Sequence, residues 1–135
     1  MFVLDTNTLI YFFKNQGHVS AHLLSHPPSA IGIPTVVLYE LETGLAKSAD
    51  PAKRRAQLDR LLSRVHVLPF GAREAQVAGE LRAHLERSGT PIGPMDTLIA
   101  GTALTAKSPL VTRNLREFSR VPGLETHDWY SGPPN

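Results

Sequence analysis

Cysteine is absent from all 135 residues of this chain. No disulfide, thiolate zinc site or cysteine nucleophile is therefore available to it, which is compatible with a reducing compartment. Also missing is any apolar run approaching the ~18 residues of a membrane span. The apolar N-terminus has no basic region before it, is interrupted by Asp5 and lacks an A-x-A-like cleavage site, so it does not read as a secretory signal. A soluble, cytoplasmic protein is the expectation. There is no G-x-G-x-x-G, no G-x-x-x-x-G-K-[ST], no G-x-S-x-G and no H-E-x-x-H, which sets aside dinucleotide, P-loop, serine-hydrolase and zincin chemistry. No repeat, low-complexity tract or linker divides the chain. Residues 1–135 read as a single domain, ending in a polar, Pro-containing and flexible tail from Ser131 to Asn135.

What is present is ordinary globular composition, with 41% hydrophobic and 19% charged residues, and 14 Lys and Arg against 12 Asp and Glu. If several of those acids converge in one pocket, the rest of the surface is distinctly basic. A basic surface around an acidic hole suits a polyanionic substrate.

Short apolar runs alternate with helical patterns. Phe2-Val3-Leu4 reads as a buried strand that meets Asp5, Thr6 and Asn7, after which Leu9, Ile10, Phe12 and Phe13 recur at helical spacing. Further strands are expected at Ser29–Ile33, His66–Phe70, Pro109–Thr112 and Leu124–His127, with helices over 19–25, 35–48, 51–63 and 73–88 and another beginning near Asp96. This alternation predicts an α/β fold, a parallel sheet with helices on both faces. His18, His22 and His26 fall at i, i+4 and i+8. With no carboxylate among them, they read as a polar, solvent-facing stripe rather than a zinc site.

The acids then stand out. Asp5 ends the first strand, where open α/β sheets place ligands, although Asp there also caps a helix. Glu40 borders the apolar stripe of its helix, whereas Glu42, about 200° around the axis, looks outward. Gly44, one turn after Glu40, predicts something packed or bound beside it. The Gly- and Pro-rich run 89–95 delivers Asp96 into the first turn of a helix whose Ala100, Gly101 and Ala103 permit close packing on the sheet. Thr112, Arg113, Asn114 and Glu117 follow the Pro109 strand. Glu80 and the basic run Lys53, Arg54, Arg55, Arg60 and Arg64 read as solvated. Carboxylates gathered in one cleft repel unless a cation neutralises them or protons are taken up, and hard oxygen donors select Mg2+ or Mn2+. Such an ion activates water against a phosphodiester. Thr6, Asn7 and Thr112 are candidates to orient the carboxylates.

At these residues the chain resembles the PIN-domain ribonuclease toxins of the VapC type. The matching stretches are Leu4-Asp5-Thr6-Asn7, Tyr39-Glu40-Leu41 with Gly44, Gly89-Thr90-Pro91-Ile92-Gly93-Pro94 leading to Asp96, Ile99-Ala100, and Val111 to Phe118 with Val121-Pro122-Gly123-Leu124 and Trp129. The resemblance implies a PIN-like fold, a parallel five-stranded sheet flanked by helices, and a Mg2+- or Mn2+-dependent endoribonuclease. It implies a homodimer, RNA targets such as tRNA cut in loops, and a VapB-like antitoxin whose tail enters the acidic groove. Asp5, Glu40 and Asp96 are implied as core acids. The fourth position is open: relatives carry Asp where this chain has Asn114, so either Asn114 or Glu117 completes the site. Arg113, Arg116 and Arg120 are candidates to hold RNA phosphates, with Arg116 equally able to pair with Glu117 or Glu125. Two other classes remain at this point, a catalytically silent RNA- or protein-binding module and a structure-specific DNA nuclease.

Overall fold

The computed structural model describes residues 1–135. Its elements in chain order are β1 (Phe2–Leu4), α1 (Thr6–Phe13), α2 (Val19–Leu24), a 3-10 turn (Pro28–Ala30), β2 (Ile31–Pro34), α3 (Thr35–Ala46), α4 (Pro51–Leu62), β3 (His66–Leu68), α5 (Ala72–Arg87), α6 (Pro94–Thr105), β4 (Leu110–Val111), α7 (Leu115–Phe118) and β5 (Thr126–His127). The strands form one parallel sheet in the order β3-β2-β1-β4-β5. Val3, Leu4, Ile31, Ile33, Leu110 and Val111 are buried, as strands covered on both faces require. Because the chain winds outward from β1 to β3 and then jumps back to β4 on the other side, the strand order reverses between β1 and β4. A crevice at such a reversal, outside the carboxyl ends of the strands, is where α/β sheets bind ligands. No helix is long and apolar enough to cross a membrane.

Two sequence expectations, at Gly101 and at the histidines, need correction. The close approach at Gly101 is to α5, not to the sheet: a Cβ there would stand 2.7 Å from the Cβ of Ala78. A Cβ added at Gly44 would meet no atom within 4 Å. Gly44 lines an open cavity of about 290 Å3 with Glu40, Ile10 and Leu41, so of the two expectations, packing or binding beside Glu40, the space leaves room for binding. Of the three histidines His18 is exposed as expected, but His22 and His26 are not solvent-facing. The rings of His22 and His26 each stack on Trp129 at 5.4 Å, His26 also touches Phe2, and His22 Nε2 lies 2.7 Å from the carbonyl oxygen of Gly132. α2 thus uses its imidazoles as aromatic packing for the C-terminal segment, in which Asp128 accepts hydrogen bonds from the N–H groups of Tyr130 and Ser131 and from the Ser131 hydroxyl. Ser131 and Gly132, the start of the expected tail, are thereby tied to the fold.

Candidate active site

Each acid reaches the β1/β4 crevice by a different local rule. Asp5 leaves β1 in extended conformation and caps α1, its Oδ1 accepting the Thr8 N–H at 2.9 Å. Capping and pocket placement do not compete, because the same carboxylate lies within electrostatic reach of Glu40 and Asp96. Burial pushes its pKa up, against the opposing hydrogen bonds of Thr112 and Thr8. Glu40 comes from α3, and its Oε1 accepts the Thr6 hydroxyl at 2.5 Å, which ties α3 to the first turn of α1. Glu42 points away as expected and forms a forked pair with Arg55 at 2.7 and 2.6 Å.

Asp96 sits in the first turn of α6, which begins at Pro94 directly after Gly93. Gly93 lies where two carboxylates meet: Asp96 Oδ2 and Glu117 Oε1 are 3.4 and 3.6 Å from the point a Cβ would occupy. Glu117 Oε1 accepts the Gly93 N–H at 2.7 Å, and its Oε2 accepts Asn114 Nδ2 at 2.7 Å. Those donors divide the protons between the neighbours. The Gly93 N–H holds Glu117 below the usual carboxylate range, whereas burial, reinforced by the Glu117 charge and then by Asp5 and Glu40, raises Asp96 to about 7.

No three acids or imidazoles are assembled at coordinating distance of one point. A Mg2+-type ion does not need such a cage, since it commonly takes one or two carboxylates and fills its octahedron with waters. Burial first, and then the charges of Glu117, Asp5 and Glu40, raise the pKa of Asp96, and a divalent cation would relieve the repulsive part. The oxygen donor set therefore fits such an ion, with Asp5, Glu40, Asp96 and Glu117 as the residues able to hold it.

The remaining candidates scatter. Asn114, expected as a metal ligand, instead donates its amide to Glu117 and orients that carboxylate, while its own N–H is held by Thr112 Oγ1 at 3.0 Å. Asn7 is exposed and stands outside the hydrogen-bonded set around the acids. The Arg113 guanidinium lies 3.7 Å from the ring centroid of Tyr130 and 5.7 Å from that of Tyr11. Arg116 is exposed and pairs with neither Glu117 nor Glu125; Glu125 faces His127 instead. Arg120 is not free to meet a phosphate with its whole fork, because Nη1 donates to the carbonyl oxygen of Pro91 at 2.9 Å. Gly93 and Thr8 are participants that residue type alone did not single out. The signals for Gly93 were its place in the Gly- and Pro-rich run just before Asp96 and in the stretch that resembles the family, neither of which says that its N–H meets Glu117.

Comparison with known proteins decides the family. The PIN domain model matches residues 2–124. The chain belongs to the PIN-domain family. It is 40% identical over 128 residues to the tRNA(fMet)-specific endonuclease VapC of Salmonella typhimurium, covering 95% of this chain and 97% of that protein. To ribonuclease VapC2 of Rickettsia felis it is 35% identical over 131 residues, 96% of this chain and 98% of the relative. Among solved structures, the PIN-domain chain in the DNA-bound VapBC complex of S. typhimurium superposes with a TM-score of 0.87 at 39% identity, covering 95% of this chain and 97% of that one. Its counterpart in VapBC2 of R. felis, bound to a promoter DNA fragment, gives 0.85 at 36% identity over 95% and 98% of the two chains.

Proposed function

We propose that this PIN-domain protein is the toxin of a toxin-antitoxin pair and acts as a divalent-metal-dependent endoribonuclease. The observation that carries this reading is the meeting of Asp5, Glu40, Asp96 and Glu117, from four separate elements, at the reversal point of a parallel sheet. Family membership adds the reaction class, since its relatives over nearly the full chain are ribonucleases of the VapC type.

Within that site one or two of Asp5, Glu40 and Asp96 would hold Mg2+ or Mn2+ directly and the others through its waters, with Glu117 adding negative charge. The chemistry such an ion supplies when bound is an acidified water and charge neutralisation on the scissile phosphodiester. The chain's own part is to hold the carboxylates still. The Thr6 hydroxyl fixes Glu40, the Thr8 N–H fixes Asp5, and Gly93 and Asn114 fix Glu117. Donors already paid into place lose little order during the reaction, which is the basis of preorganised electrostatics. Asp96, whose pKa burial and the neighbouring carboxylates raise to about 7, would have to lose a proton to hold such a cation. Arg113 and Arg116, exposed on the β4 side, meet backbone phosphates of the RNA.

The substrate is a structured RNA cut in a single-stranded loop, tRNA in the first place, and the compartment is the cytoplasm. The partner is a VapB-like antitoxin that places a basic side chain against the acids, and the toxin is a homodimer. Incubating the purified chain with tRNA and with single-stranded DNA of matched sequence, with Mn2+ or with chelator, tests the reaction. Cleavage of RNA alone, dependent on metal and lost in Asp96→Asn, is expected. Equal cleavage of the DNA would indicate a DNA nuclease, and RNA binding with no cleavage would indicate a silent module.

A further inference from the structure

Asp96 is delivered by the loop Gly89–Gly93, which is tied to α5 at its start, the Thr90 N–H donating to the Leu85 carbonyl oxygen at 2.9 Å, and has few polar contacts beyond that point. Gly89 adopts φ 69°, Pro91 has no N–H to give, and beneath the loop lies a cavity of about 430 Å3 bounded by Phe70, Leu85, Ile92 and Leu98. Apart from contacts into the first turn of α6, two hydrogen bonds attach residues 91–93 to another element, and both come from the α7 segment. Glu117 accepts the Gly93 N–H at 2.7 Å, and Arg120 donates to the Pro91 carbonyl at 2.9 Å. The two anchors have opposite charge, and Arg120 adds a smaller contribution, after the Gly93 N–H, to the lowered pKa of Glu117.

We propose that Arg120 is a positioning residue: it latches the loop at Pro91 and so holds Asp96 against Glu117, rather than gripping an RNA phosphate. This rests on the acids being the active site. Pro91 and Pro94 fix φ at two points of the loop, so movement at Pro91 is passed along a stiff segment to the first turn of α6 instead of being absorbed. Ile92 packs on the core beside the cavity, so the loop stays attached without the tether and what the tether at Pro91 sets is the path of the loop into α6. A displacement of about 1 Å is enough to lower catalysis on the order of a hundredfold. Lysine reaches the same carbonyl with a single donor, whereas alanine reaches nothing.

The test compares the full chain with Arg120→Ala and Arg120→Lys. It reads Mn2+ affinity by calorimetry without RNA, kcat and KM for tRNA cleavage, and the salt dependence of RNA binding. Arg120 is exposed and outside the core, so both variants are expected to fold. The latch predicts that Arg120→Ala weakens Mn2+ binding and lowers kcat by about tenfold or more. KM and the salt slope stay unchanged, and Arg120→Lys recovers most of the loss. Unchanged Mn2+ affinity with a raised KM and a salt slope reduced by about one ion makes Arg120 a phosphate contact and overturns the latch. A wild-type chain that binds Mn2+ but cuts no RNA defeats the ribonuclease reading alone, since the Mn2+ arm still decides the latch.

Discussion

Replacing Asp5 by Asn and by Ala separates its two roles. Asparagine caps a helix as well as aspartate does, so Asp5→Asn is expected to keep the α1 cap while abolishing cleavage. Asp5→Ala loses both, with about 1 kcal/mol of additional destabilisation in chemical denaturation. If the two variants unfold at the same denaturant concentration, the cap seen at Thr8 contributes nothing. The raised pKa of Asp96 makes a second prediction at this scale. Between the ordinary aspartate value, about 4, and its folded value of about 7, the native state keeps a proton that the unfolded state has lost. Unfolding free energy contributed by this group therefore falls as pH rises across that window. Thermal melts of the metal-free protein should decline from pH 5 to pH 7.5, and Asp96→Asn should flatten the decline. Mn2+ uptake below pH 7 should release a proton in the wild type and not in that variant. An unchanged pH slope in Asp96→Asn would place the titration elsewhere.

At the scale of elements, the helices are positioned by contacts of very different legibility. The strand, acid, helix succession around Asp5 was readable because apolar period and cap chemistry are local. The contact at Gly101 was readable only as a permission for closeness, and the sequence did not say that α5 would be the neighbour. With Ala78 so near, Gly101→Ala is expected to cost about 1 to 3 kcal/mol by overpacking, and a near-neutral result would show that α5 and α6 part easily. His22 and His26 were misread because helical spacing shows which side chains share a face, not what covers that face. Trp129, buried and stacked by both rings, makes the C-terminal segment part of the core. Trp129→Ala should destabilise by about 3 to 5 kcal/mol in the same assay. Arg120 was read as a phosphate contact, and its bond to Pro91 escaped because the partner is a backbone carbonyl, which carries no residue-type signature.

For the whole molecule, strand order is the feature that residue patterns could not supply, since it depends on pairings between distant segments. The alternation of strand and helix was enough for a parallel sheet. The reversal between β1 and β4, where we propose that the four dispersed acids form one site, appears only with the order β3-β2-β1-β4-β5. If the acids share the crevice, the remaining exterior is basic, which suits a polyanion. The central claim is that this crevice cuts RNA. It is tested most directly by mapping RNA 5′ ends after controlled expression of the wild type and of Asp96→Asn in cells that lack an antitoxin. New ends at one or a few RNA loops with the wild type, absent with the variant, are predicted. The same ends in both, or growth arrest with no new ends in either, would contradict it.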